Sequence, residues 1–151
     1  MANNIRFEFD TDKMASALDT YNGAAKATLR ASAQAGAQVL YDEMRTRAPV
    51  GTKEGNSKKP GTLRNSIYQV FSVRNSNDTR ATFHIAPNKR KAPHWSLIEN
   101  GHWSRSSAGS APKWVVARPY IRPTWDGRGR DAVAAMRIRM SKLMQERGKA
   151  P

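Results

Sequence analysis

The sequence of 151 residues contains no cysteine, which excludes disulfides and thiolate metal sites. It also has no apolar run near the roughly 18 residues that cross a bilayer. Residues 1–10 lack the basic and then apolar layout of a signal peptide. We therefore expect a chain that folds by packing alone and works in a cytoplasm-like compartment, with no membrane partner.

Apolar residues are scarce as well, at 38% of the chain, which is low for a compact globule and too high for a disordered chain. This composition predicts one domain over residues 1–151 with a modest core, whose stability depends partly on partner subunits. Stretches rich in Gly, Ser, Asn and Pro predict flexible loops near residues 50–62 and 104–112, and a frayed tail at 148–151.

Acidic residues are few. The chain has 12 Asp and Glu against 26 Lys and Arg, which gives a formal net charge of +14. Such an excess attracts polyanions through its long-range field and through counterion release. Nucleic acid is the first candidate partner and an acidic protein is the second, while a solvated, aggregation-resistant surface is the simplest alternative.

The residue types of an active site are not in a catalytic arrangement. His84, His94 and His102 have no spacing that places two metal ligands on one helix face. There is no Gly-x-Ser-x-Gly elbow and no glycine loop suited to a phosphate. We expect no metal, no cofactor and no catalysis. A hydrolase built around His94, Glu99 and His102 is the least favoured alternative.

Two long helices are predicted by periodicity. Apolar and small residues recur every three or four positions from Met14 to Met44, and Pro49 ends this helix near Arg47. An Asp at position 10 is a suitable cap. Residues 132–147 are also helical, with these side chains inward: Val133, Met136, Met140, Leu143 and Met144.

The strands are short. Alternating residues at 5–9 predict one strand, residues 63–73 and 80–86 predict a hairpin, and residues 113–117 predict a further strand. Residues 94–99 fit either a short helix or an extended segment. The predicted fold is α+β, with a long N-terminal helix, a small antiparallel sheet of about four strands and a C-terminal helix packed on the sheet. We expect the sheet core to contain Leu63, Ile67 and Phe71.

Tryptophan is concentrated in the second half of the chain, beside basic residues. Trp95, Trp103, Trp114 and Trp125 suit either stacking on single-stranded bases or anchoring of a protein interface. Because most of them lie beside Pro and Gly in turn-rich phrases, we favour the interface.

Four short phrases occur in a fixed order: Ala48-Pro49, then residues 61–67 (GTLRNSI), then 97–101 (LIENG), then 118–123 (RPYIRP). Together they resemble the head–tail joining and minor-tail family of long-tailed bacteriophages, over about residues 10–147. The chain departs from the family pattern in three places. Its loop before Leu63 is long, Asn100 stands where an aromatic is common, and residues 102–112 resemble an insertion.

The resemblance implies a small α+β virion subunit that forms a ring, often sixfold, at the neck or the head-proximal end of the tail. Such a ring is assembled in the host cytoplasm and breaks no bonds. Its implied partners are head connector or stopper proteins, tail tube or tail terminator proteins, and double-stranded DNA in the lumen. A stand-alone basic nucleic-acid-binding protein is the alternative.

On this basis we assign two groups of candidate residues. The interface candidates are Arg64, Trp95, Glu99, Trp103 and Tyr120. Of these, Arg64 and Glu99 are expected to pair within or between subunits. The candidates for contact with DNA or an acidic partner are Lys53, Lys58, Lys59, Lys89, Arg90, Lys91, Arg130 and Arg137.

Overall fold

The computed structural model describes residues 11–51, 59–104 and 111–148. The predicted strand at residues 5–9, the cap at position 10, and Lys53 and Lys58 lie outside these ranges. The same holds for most of the two predicted loops and for residues 149–151.

The described chain is α+β, as predicted. In order, its elements are α1 (Thr11–Arg47), α2 (Thr62–Ser66), β1 (Ile67–Phe71), β2 (Phe83–Pro87), α3 (Trp95–Asn100), β3 (His102–Trp103), β4 (Trp114–Val115) and α4 (Ile121–Gly148). Residues 94–99, for which the sequence left two possibilities, are mainly helical. None of the described helices is long and apolar enough to span a membrane.

Helices α1 and α4 form an antiparallel pair. Gly36 of α1 lies against Ala132 and Met136 of α4, and nearer the other end Glu43 pairs with Arg128 at 3.5 Å. The prediction that α4 packs on the sheet is thereby corrected, because its most extensive contact is with α1. Small residues on the α1 stripe allow the two backbones to approach closely. Val133, predicted to face inward, is 43% exposed.

Helix α1 ends where the sequence predicts. The backbone N–H of Ala48 still donates to the carbonyl of Met44 at 2.9 Å, and Pro49 follows. Proline lacks the N–H that another turn needs and disfavours helical geometry in the preceding residue. In α4, by contrast, Pro123 is the third residue, within the first turn, where no intrahelical N–H bond is lost.

The predicted strand at residues 63–73 begins instead with the short helix α2. Gly61 adopts a left-handed conformation, φ 80°, and its carbonyl accepts the N–H of Asn65 at 2.9 Å. Leu63 and Ile67 are both buried, and a spacing of four residues fits one helix face as well as one strand face. Only the segment from Ile67 onward is extended.

The hairpin of β1 and β2 is antiparallel, with Ile67 opposite Pro87 and Phe71 opposite Phe83. It packs on α1, where the Arg30 guanidinium lies 4.3 Å from the centre of the Phe71 ring. The second strand begins at Phe83, later than predicted, because Arg80 belongs to the turn and bridges Asn77.

The second pair of strands, β3 and β4, is separate from the hairpin and has only two residues in each strand. The predicted single sheet is therefore two small antiparallel pairs. The core between the helices and the hairpin is built from Met44, Ala48, Leu63, Ile67, Ala92 and Tyr120.

Candidate assembly surfaces

Glu99 connects α3 to the beginning of α4. Its side chain is buried, and its Oε2 accepts the backbone N–H of Tyr120 at 2.8 Å and that of Ile121 at 3.1 Å. Its Oε1 accepts the N–H of Arg122 at 3.2 Å. These N–H groups lie at a helix start, where they have no intrahelical acceptor and where the helix dipole favours a negative charge.

Arg64 and Glu99 are not brought together within the subunit. Glu99 uses both oxygens on backbone N–H groups, whereas Arg64 lies in a polar cleft of about 330 Å³ with Asp42, Arg45 and Thr46. The buried Nε of Arg64 has no hydrogen-bond partner among the described residues. An intrasubunit pair is therefore absent from the described chain, and a pair between subunits stays a prediction.

Tyr120 is an interior residue. Its side chain is 0% exposed, and its hydroxyl has no hydrogen-bond partner among the residues described. Burial, with a smaller contribution from the Glu99 carboxylate, raises the pKa of the Tyr120 hydroxyl far above its usual value. The expected interface role is corrected for this residue, which anchors its own core. Trp95 is likewise half-buried against that core.

Trp103 is the interface candidate that the structure leaves most open, at 66% exposed. Its ring meets Trp114 edge to face, with centroids 5.5 Å apart. We use the term tryptophan patch for the exposed apolar residues Leu97, Trp103, Trp114, Val115 and Val116. Beside it, a groove of about 430 Å³ runs between residues 49–51 and the α3–β4 region. Such a surface is typical of protein contacts.

A second exposed apolar surface lies on α4. We use the term outer α4 surface for the concavity of about 750 Å³ lined by Trp125, Gly129, Arg130, Val133, Arg137 and Ile138 and two further residues of the helix. Its arginines and its tryptophan are predicted separately from the sequence. Their combination with Ile138 and with Val133, which the helix spacing places in the core, becomes visible only in the structure.

The basic loop follows β2. The Asn88 side-chain oxygen accepts the N–H groups of Arg90 and Lys91 at 2.9 and 3.3 Å, which holds the turn. Lys89, Arg90 and Lys91 are exposed there, and Lys59 is exposed near α2. Arg130 and Arg137 belong to the outer α4 surface, on a different element.

Within the described ranges there is no group of three or more His, Asp or Glu residues that could hold a metal ion. His84 contacts the Asn75 side chain at 3.3 Å. The hydrolase alternative uses Glu99 as its acid, but both carboxylate oxygens of Glu99 accept backbone N–H groups at the start of α4.

Comparison with known proteins gives one family. No curated protein and no solved structure matches the chain. Residues 12–101, more than half of the chain, match the family described as "Bacteriophage HK97-gp10, putative tail-component". This agrees with the resemblance carried by the phrases at 48–49, 61–67 and 97–101. The chain thus belongs to the HK97 gp10-like family of bacteriophage tail components.

Proposed function

We propose that the chain is the subunit of a closed ring at the neck or the head-proximal end of a phage tail. The ring joins the tail to the DNA-filled head, lets double-stranded DNA pass and has no enzymatic activity. Family membership supports a tail component. The observation that carries the more specific proposal is the presence of two separate exposed apolar surfaces on one small subunit.

A closed ring needs two different surfaces on each subunit, because a head-to-tail contact joins unlike patches. The tryptophan patch and the outer α4 surface belong to different elements and meet this requirement. Both contain large apolar side chains that a monomer would leave in water. The partners of a third contact, with the adjacent ring, are head connector or stopper proteins on one side and tail tube or terminator proteins on the other.

The charge distribution supports passage of DNA. A chain of net charge +14 that assembles with copies of itself accumulates positive charge, which DNA phosphates or acidic neighbours must offset. Lys89 and Arg90 lie side by side on an exposed turn, and Lys59 is exposed elsewhere. These residues are our candidates for contact with phosphates.

Inactivating the gene in a phage that encodes this chain tests the proposal. We expect DNA-filled heads and separate tails to accumulate, and the wild-type gene supplied in trans to restore joined particles. Complete infectious particles without the protein would overturn the proposal.

A stand-alone nucleic-acid-binding protein is the second candidate, favoured by the net charge and by the exposed Trp103. Light scattering with and without double-stranded DNA separates the two. Oligomers, alone or with tail partners, support the ring. A monomer with tight and strongly salt-sensitive DNA affinity supports the alternative.

A further inference from the structure

The first turns of α1 extend beyond their intrachain partner. Because α4 runs antiparallel to α1 and Gly36 lies between Ala132 and Met136, equal rises per residue bring Gly148 level with about residue 22 of α1. We use the term α1 arm for residues 11–22. Every side chain described in this segment is exposed.

The α1 arm continues the stripe that α1 buries further along. Leu18 and Tyr21 lie three positions apart in the sequence. They are in helical register with Thr28, Ser32 and Gly36, which are buried. Leu18 is 56% exposed and Tyr21 64% exposed. The same face of one helix is thus covered in its second half and uncovered in the arm.

The arm also differs from the rest of the chain in charge. Its charged residues are Asp12, Lys13 and Asp19, which give the arm a net charge of −1 in a chain of net charge +14. The Asp19 side chain is exposed. The outer α4 surface has two basic side chains, Arg130 and Arg137, against one acidic side chain, Asp126, so its net charge is opposite to that of the arm, and its centre is apolar. It extends over residues 125–138, about 20 Å of helix, which matches the arm at about 17 Å.

From this match we propose that the α1 arm of one copy docks on the outer α4 surface of the next copy. Leu18 and Tyr21 then bury against Trp125, Val133 and Ile138, while Asp19 faces the two arginines. The proposal rests on the proposed ring and refines it. The α1 arm, and not the tryptophan patch, is the partner of the outer α4 surface within the ring, and the tryptophan patch is then available for contact with an adjacent ring. Helices commonly dock in this way, with apolar anchors at spacings of three and four residues.

A second copy fits the outer α4 surface better than DNA does. Phosphates pair with Arg130 and Arg137 but offer nothing to Val133 and Ile138, which branched or aromatic side chains cover well. The join is also head to tail, because the arm and the outer α4 surface are different patches, and this is the geometry that closes a ring.

Cysteine cross-linking tests the contact directly, since the natural chain has no cysteine. A mass-tagged Leu18→Cys chain is mixed with an untagged Val133→Cys chain under mild oxidation. We expect a mixed dimer, at about ten times the yield of Leu18→Cys mixed with Val73→Cys, a collisional control at a 78% exposed hairpin site. The double variant Leu18→Cys/Val133→Cys should give a ladder of higher multimers. Equal yields with the control, or no mixed dimer, would overturn the interface.

A matched pair of charge variants provides an independent readout. Tyr21→Arg should lower the oligomeric fraction in light scattering, whereas Ser16→Arg, on the opposite face of the same helix, should leave it unchanged. Equal effects of the two variants would overturn the interface. If the wild type forms oligomers but the Leu18→Cys and Val133→Cys chains do not cross-link, this interface is wrong and the ring stands. If gene inactivation leaves particles complete, the ring itself fails.

Discussion

The carboxylate of Glu99 reaches across 21 residues of chain to accept the backbone N–H of Tyr120 at 2.8 Å. With the N–H groups of Ile121 and Arg122 on the same carboxylate, a single side chain of α3 satisfies the start of the 28-residue helix α4. The polar member of the phrase at 97–101 is therefore a structural residue that ties two phrases together.

Replacing Glu99 with glutamine should destabilise the fold by about 1–3 kcal/mol, because a charged acceptor is lost and an amide N–H₂ faces backbone donors. Urea unfolding measures the change. Glu146→Gln, at an exposed acid in the last turns of α4, is the control and should shift stability by less than about 0.5 kcal/mol. Equal midpoints for both variants would contradict the capping role.

Gly36→Ala should be destabilising by about 1–3 kcal/mol, although alanine favours helix. A Cβ at this position would lie 2.8 Å from the backbone oxygen of Ala132 and would overlap Met136. Gly23→Ala in the same helix has nothing within 4 Å of the new Cβ and should stabilise by up to about 1 kcal/mol. Thermal unfolding of the two variants should therefore shift in opposite directions, and shifts of the same sign would argue against the close α1–α4 contact.

Tyr120→Phe should be neutral or stabilising by up to about 1 kcal/mol, because it removes a buried hydroxyl that has no described partner. The raised pKa of Tyr120 also predicts a loss of stability in alkali. The folded state holds this proton more tightly than the unfolded state, so the contribution is fully present below the ordinary tyrosine pKa of about 10 and falls above it.

Unfolding of wild type and Tyr120→Phe across that pH range checks the assignment. The difference between the two proteins should change with pH above about 10 in favour of the variant. A difference that stays constant would contradict the burial of an ionisable hydroxyl.

Lys89→Ala/Arg90→Ala should weaken binding to a short DNA duplex and reduce the slope of log affinity against log salt by about 1.8, as expected for two lost phosphate contacts. Lys142→Ala/Arg147→Ala removes the same charge from the end of α4. It should reduce the slope of log affinity against log salt by less than the Lys89→Ala/Arg90→Ala variant does. Fluorescence anisotropy at several salt concentrations measures both. Identical slopes for the two double variants would remove the basic loop from the list of DNA contacts.

Much of the architecture can be predicted from local sequence patterns. The extents of α1 and the later part of α4 follow from apolar spacing and from Pro49, since helix periodicity persists over many turns. The α2–β1 boundary was missed because Leu63 and Ile67 are four residues apart, which two kinds of element share. The start of α2 at the left-handed Gly61 could not be predicted from apolar spacing, because a glycine contributes nothing to that pattern.

The candidate site was harder to predict, because its contacts are long-range. The partners of Glu99 are backbone groups some 21 to 23 residues away, and backbone donors have no side-chain signature. Tyr120 and Trp103 both looked like interface aromatics in sequence, yet tertiary packing buries one and exposes the other. Val133 was assigned inward by helix spacing, although the narrow α1–α4 contact covers only one stripe of α4.

The family match ends at residue 101, whereas the N–H groups that donate to Glu99 and the helix that covers Gly36 come later in the chain. Shortening the polypeptide to the matched region would remove the N–H donors that bind the Glu99 carboxylate and would leave the small-residue stripe around Gly36 exposed to water. Residues 102–148 lie outside the family match although they include the phrase at 118–123, and they complete the packing of the matched region through α4.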